Sequence, residues 1–184
     1  MSQARISTRI IGIDPGSRIT GYGIIDVDGP RLRYVASGCI RTEGGDLAER
    51  LKRIFQDVSA VVEEFGPAEL AIEKVFVQRN VESALKLGQA RGAAICAAVL
   101  QDIPVFEYAP NQIKQAVVGH GHAAKAQMQA MVRVLLRTET TPPSDAADAL
   151  ACAMCHSHLR ATMQRIAEAQ AASGWGSARR IGRR

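Results

Sequence analysis

Two short apolar runs in this chain each end on an acid. One is Ile10-Ile11-Gly12-Ile13-Asp14 and the other is Leu70-Ala71-Ile72-Glu73. Runs of this length and composition read as buried strands. A buried strand that stops on a carboxylate limits the possible folds, because the acid is costly unless something positive meets it. Two further acids sit together in Ser144-Asp145-Ala146-Ala147-Asp148. Four acids drawn to one place repel one another unless a cation holds them, and carboxylate oxygens are the ligands that hard Mg²⁺ prefers.

The rest of the chain supplies a framework for such a site. Residues 9–14, 20–27 and 31–40 read as strands, the last two joined by Asp28-Gly29-Pro30, so the three form an antiparallel meander. Leu47, Leu51, Ile54, Phe55, Val58, Val61, Val62 and Phe65 recur at three and four residues, which predicts a helix over 46–65. Asp46 with Glu49 is a capping-box pattern, and Gly66-Pro67 stops the helix. A strand over 68–73, a helix over 81–100, a strand over 104–108 and helices over 110–117, 123–137 and 144–170 follow. The expected fold is α/β: a mixed five-stranded sheet with helices on both faces. If the strands ending at Asp14 and Glu73 are parallel neighbours, their carboxylates stand side by side where open α/β sheets bind ligands.

Length and charge narrow the partners. A chain of 184 residues without an internal repeat is expected to form a single domain over 1–173, followed by a basic, disordered tail over 174–184. The first apolar run stops at Asp14, too soon for a signal peptide or a membrane span. A cytoplasmic protein with four reduced cysteines is the expectation. The net charge is +5, but removing Arg179, Arg180, Arg183 and Arg184 leaves +1. Residues 41–73 hold four basic and eight acidic side chains, and residues 79–137 hold seven basic and three acidic. Nucleic acid is the usual partner of a basic patch, although a solvated helical surface accounts for the charge equally well.

Each acid has an ordinary explanation when taken alone. Asp14 opens an Asp-Pro-Gly turn. Glu73 pairs with Lys74 or an arginine. Asp145 or Ser144 caps a helix announced by Pro142-Pro143, with Asp148 a first-turn acid favoured by the helix dipole. The combination is harder to dismiss. Asp145, Asp148, Cys152, Cys155 and Leu159 fall within an arc of about 60° on a helix, so the two acids face inward with an apolar stripe. Four such carboxylates suit two Mg²⁺ ions about 3.5–4 Å apart, one activating a water and the other stabilising a departing 3′-oxygen. Cys152-Ala153-Met154-Cys155-His156 matches a haem-attachment pattern, and His158 invites a zinc reading. Packing of buried thiols is the expected explanation of both.

Several segments resemble the RuvC family of Holliday-junction resolvases along nearly the whole chain. They are Gly12-Ile13-Asp14-Pro15-Gly16-Ser17 with Thr20-Gly21-Tyr22-Gly23, Ala71-Ile72-Glu73-Lys74-Val75-Phe76, residues 83–92, Lys114-Gln115-Ala116-Val117-Val118-Gly119, and residues 145–151. The resemblance implies a ribonuclease-H-like fold and a Mg²⁺-dependent endonuclease. It also implies a homodimer that cuts two strands of a four-way DNA junction symmetrically, in recombination and repair, together with the RuvA–RuvB motor. On this resemblance Asp14, Glu73, Asp145 and Asp148 are the catalytic, metal-holding acids, and Phe76, Lys114 and Lys125 contact DNA. Lys74 stands where the family commonly has glutamine. Two rivals remain at this point: a fragment of an actin-like or sugar-kinase-like ATPase, on the Gly12-Ile13-Asp14-Pro15-Gly16 pattern, and a junction-binding module without catalysis.

Overall fold

The structure, a computed structural model, describes residues 7–75 and 80–172, with side chains described through Met163. Phe76 and the 174–184 tail lie outside the described residues. Strands β1 (Thr8–Asp14), β2 (Ile19–Asp28) and β3 (Arg31–Arg41) are followed by helix α1 (Leu47–Phe65), β4 (Glu69–Glu73) and α2 (Val81–Val99). Then come β5 (Val105–Tyr108), α3 (Pro110–Val118), α4 (Lys125–Leu136) and α5 (Ser144–Ala172). The expected elements are all present, with ends that move by a residue or two.

The sheet order is β3-β2-β1-β4-β5. The first three strands form the antiparallel meander, and β4 joins β1 and β5 in parallel. Side chains alternate across this sheet and feed two cores. Ile11, Ile13, Ile24, Leu70 and Ile72 face α1 and α2, where Ile54, Val58, Val62, Ala90 and Ala94 meet them. Ile10, Ile25 and Ala71 face the other way, toward α3, α4 and α5. The same alternation sends Asp14 and Glu73 to the α5 side.

Helix α1 starts on the expected capping box, with Asp46 accepting from the Glu49 N–H at 2.9 Å. It ends at Gly66 with φ 54°, a left-handed turn that glycine adopts without penalty.

Helix α5 departs from expectation in two ways. Residues 149–157 are buried on every side, because the helix is sandwiched between the sheet and helices α3 and α4. The inward stripe is thus one side of a wholly buried segment. Ser144 also makes no cap: its Oγ is buried without a hydrogen-bond partner among the described residues, and the Ala147 N–H donates instead to the Pro143 carbonyl.

Candidate metal centre

The site forms where two strand ends meet the first turns of α5. Strands β1 and β4 run parallel in register, with Ile13 opposite Ile72, so Asp14 and Glu73 leave the sheet side by side. Glycines let α5 come down onto this corner. A Cβ at Gly12 would overlap the Ala149 carbonyl, and one at Gly21 would overlap the Asp145 carbonyl. Direct backbone contact therefore sets the height of Asp145 and Asp148 above the strand ends.

The acids feel one another. The Asp14 pKa is pushed up to about 8, first by burial and then by Glu73, Asp148 and Asp145. The Glu73 pKa is pushed up to about 7 by burial and Asp148, against the opposing pull of Lys114 and Lys125. Among the described residues the Glu73 carboxylate makes no ion pair with Lys74 or an arginine. Arg91 Nε donates to the Glu73 backbone carbonyl at 3.1 Å, and the same guanidinium pairs with Glu107 at 2.7 Å.

Both predicted lysines stand at the site. Lys125 Nζ lies 3.2 Å from Asp148 Oδ2. Burial lowers the Lys125 pKa, but the Asp148 contact together with the charges of Asp145 and Asp14 makes the net shift upward. Lys125 is also the first residue of α4, where the helix dipole disfavours a cation, so its position there asks for a partner. Lys114, on α3, lines a cavity of about 290 Å³ with Glu73, Lys125 and Asp148. A neighbouring cleft of about 360 Å³ opens between Asp14, Glu73 and the start of α2. Its wall includes Asn80 and Ser83, which the sequence reading missed. They cap α2, with the Asn80 side chain accepting from the Ser83 N–H at 3.1 Å. The Asn-x-x-Ser spacing signals that cap but not its place beside the acids.

Among the described residues no three His, Cys, Asp or Glu side chains close into a preformed metal cage. The oxygen-only donor set, the mutual repulsion and the open cleft suit a hard divalent cation that keeps part of its water shell and takes further oxygens from a substrate. The cysteine motif on α5 lies in the core. Cys152 and Cys155 are free and buried. His156 hydrogen-bonds Tyr108 Oη at 2.6 Å and Glu69 Oε2 at 2.7 Å, so both ring nitrogens are engaged.

Comparison with known proteins agrees with this geometry. Residues 10–156 match the family described as crossover junction endodeoxyribonuclease RuvC. The chain is 56% identical over 161 residues to the protein of that name from Enterobacter sp. (strain 638), covering 88% of this chain and 93% of the relative. It is 59% identical over 157 residues to the one from Edwardsiella ictaluri (strain 93-146), covering 85% and 91%. Among solved structures it resembles T. thermophilus RuvC in complex with Holliday junction substrate, with a TM-score of 0.80, 38% identity and coverage of 85% and 96%. The sheet and its flanking helices are the ribonuclease-H-like arrangement, and the ATPase alternative falls away. The chain belongs to the RuvC family of crossover junction endodeoxyribonucleases.

Proposed function

We propose that Asp14, Glu73, Asp145 and Asp148 are the catalytic residues of this enzyme and hold Mg²⁺, two ions to each subunit. As a RuvC family member the chain is a metal-dependent endonuclease that resolves four-way (Holliday) junctions. The observation that carries the assignment is Asp14: a carboxylate at the end of a buried strand, with three acids around it and its pKa pushed up to about 8.

When bound, Mg²⁺ supplies the positive charge that activates a water and neutralises the departing 3′-oxygen of an in-line displacement. The chain's own residues do the positioning. Asp14 and Glu73 approach from rigid strand ends, and Asp145 and Asp148 from a helix seated on glycines. Lys125 holds the Asp148 carboxylate in place, and Lys114 on the cavity wall meets phosphate oxygens beside the scissile bond. Phe76 follows β4 by three residues and stacks on bases splayed at the junction centre.

The working unit is a homodimer, whose two-fold symmetry matches a two-fold target. In support, α2 exposes Val81 and Leu85, one turn apart, at 65% and 64%. The enzyme acts with the RuvA–RuvB motor in the cytoplasm, through one catalytic domain over 1–173 with the basic 174–184 segment as its tail. Among the described residues no helix is long and apolar enough to cross a membrane.

A synthetic mobile four-way junction with Mg²⁺, set against linear duplex of the same sequence, tests this reading. Symmetric paired nicks in the junction alone are expected, and Asp14→Asn and Glu73→Gln should bind the junction without cutting it. Cutting by both variants would show that the metal site is elsewhere.

A further inference from the structure

Helix α4 leaves the metal centre at Lys125 and runs away from it to Leu136. The chain turns at Arg137 and comes back through residues 138–143 to the start of α5. Between the outgoing helix and the returning segment lies an open groove of about 480 Å³, whose walls include Gln129, Arg133, Arg137, Thr138 and Thr141. Lys125, Gln129, Arg133 and Arg137 are spaced by four residues, so they climb one side of α4 and its cap. At 1.5 Å per residue, Arg133 stands ~12 Å and Arg137 ~18 Å beyond Lys125.

Three features of this groove bear on what it could hold. Arg137 has φ 53°, at a helix end where glycine or asparagine is usual, so a long cationic side chain is kept there against backbone preference. Among the described residues neither Arg133 nor Arg137 has an ion-pair partner, whereas Arg9, Arg53, Arg91 and Arg160 each do. The groove wall is also tied to the site: Gln129 Nε2 donates to the Pro142 carbonyl at 3.3 Å, three residues before Asp145. Glu139, exposed on the returning segment, is an acid close by in sequence and does not line the groove.

We propose that this groove seats the sugar–phosphate backbone of the duplex arm leading away from the metal centre, with Arg133 and Arg137 each taking a phosphate. The inference rests on the endonuclease reading of the site. Successive phosphates of one strand rise ~3.4 Å along the duplex axis, so these contacts fall about four to five base pairs from a phosphate held at Lys125. The guanidinium fork suits phosphate oxygens, and such contacts hold the arm in register without reading its sequence.

The test is junction binding by the full chain in Ca²⁺, across a salt series, for wild type, Arg133→Gln/Arg137→Gln and Arg137→Gly. Two hairpin-capped junctions serve as probes, one with arms of about 15 base pairs and one with arms of about 3, at ~3.4 Å per pair. Each subunit of the dimer loses the same contacts, so the double variant should reduce the slope of log K against log salt by about 3.6 on long arms, and Arg137→Gly by about 1.8. The short-armed junction should bind all three proteins alike. Arg137→Gly guards against misfolding, since glycine suits the left-handed turn and should leave the melting temperature at or above wild type. Unchanged long-arm slopes would overturn the proposal, as would equal weakening on both probes. A fall to monomer in the variants would overturn it too, by making the groove an interface between copies of this chain. If wild type itself shows no preference for junction over linear duplex, the endonuclease reading fails first.

Discussion

The two ends of the central sheet treat their acids in opposite ways. At the end where β1 begins, Asp26 is only 7% exposed yet lies 2.8 Å from Arg9 and in contact with Arg33. The Arg9 hydrogen bond leads the effects that hold its carboxyl below the usual carboxylate range. Glu69, at the start of β4, is likewise paired, with His156 at 2.7 Å and Arg160 at 3.0 Å. At the opposite end the chain gathers Asp14, Glu73, Asp145 and Asp148, and among the described residues Lys125 pairs with Asp148. Acids that serve the fold bring their cations with them. The acids gathered at the other end repel one another instead, so burial and neighbouring carboxylates push Asp14 and Glu73 up.

The contrast can be broken most severely at Asp14. Asp14→Asn should lower junction cleavage more than about 100-fold, beyond the roughly 10–100-fold typical of groups that merely support a metal ligand. Rates of single-turnover cutting in Mg²⁺ measure this, and a loss under tenfold would place Asp14 outside the metal centre. The matching change at the other end costs stability instead. Asp26→Asn strips charge from a nearly buried acid that faces two arginines, and should cost about 2 kcal/mol in urea unfolding. Cleavage by that variant should be unchanged below its melting transition.

The pH response separates the two ends by sign. Asp14 has a folded pKa of about 8 against an ordinary value of 3.8. Its protonated form is favoured in the fold, so that stability is fully present below about 4 and is lost as pH rises through about 8. Asp26 is depressed, so its stabilisation is present above the ordinary carboxylate value and is lost as pH falls through its folded pKa. Metal-free Asp14→Asn should therefore gain on wild type by about 1–3 kcal/mol between pH 5 and 8. Denaturation at several pH values in EDTA measures it, and a gap that narrows with rising pH would contradict the assignment. The smallest effect concerns Lys125. Lys125→Gln should leave metal-free stability within about 1 kcal/mol, because the lysine side chain is 59% exposed. Its loss should appear in junction binding and its salt slope.

Much of this was legible in the chain. The apolar runs ending on Asp14 and Glu73 were visible as strands, and pairing them as parallel neighbours stood both acids side by side, as the register shows. The glycines of the Gly12 and Gly21 segments were visible as motif residues, but their role, admitting the backbone of α5, depends on a contact across more than a hundred residues. The pairing of Asp26 with Arg9 and the His156 link between Tyr108 and Glu69 likewise arise only when distant strands and helices meet. Ser144 shows a local rule overridden: its sequence is that of a cap, yet the tight seat of α5 leaves the hydroxyl buried and unused. The buried circumference of α5 was hidden for a related reason, since periodicity shows a stripe but not what covers the remaining faces.

If a metal holds these mutually repelling acids, removing one charge and adding Mg²⁺ should each raise stability. Thermal unfolding of wild type and Asp14→Asn at pH 8, with EDTA and then with Mg²⁺, tests it directly. Asp14→Asn should melt higher than wild type in EDTA, and Mg²⁺ should raise wild type while leaving the variant nearly unmoved. A variant that melts lower than wild type in EDTA, or a wild type indifferent to Mg²⁺, would contradict it.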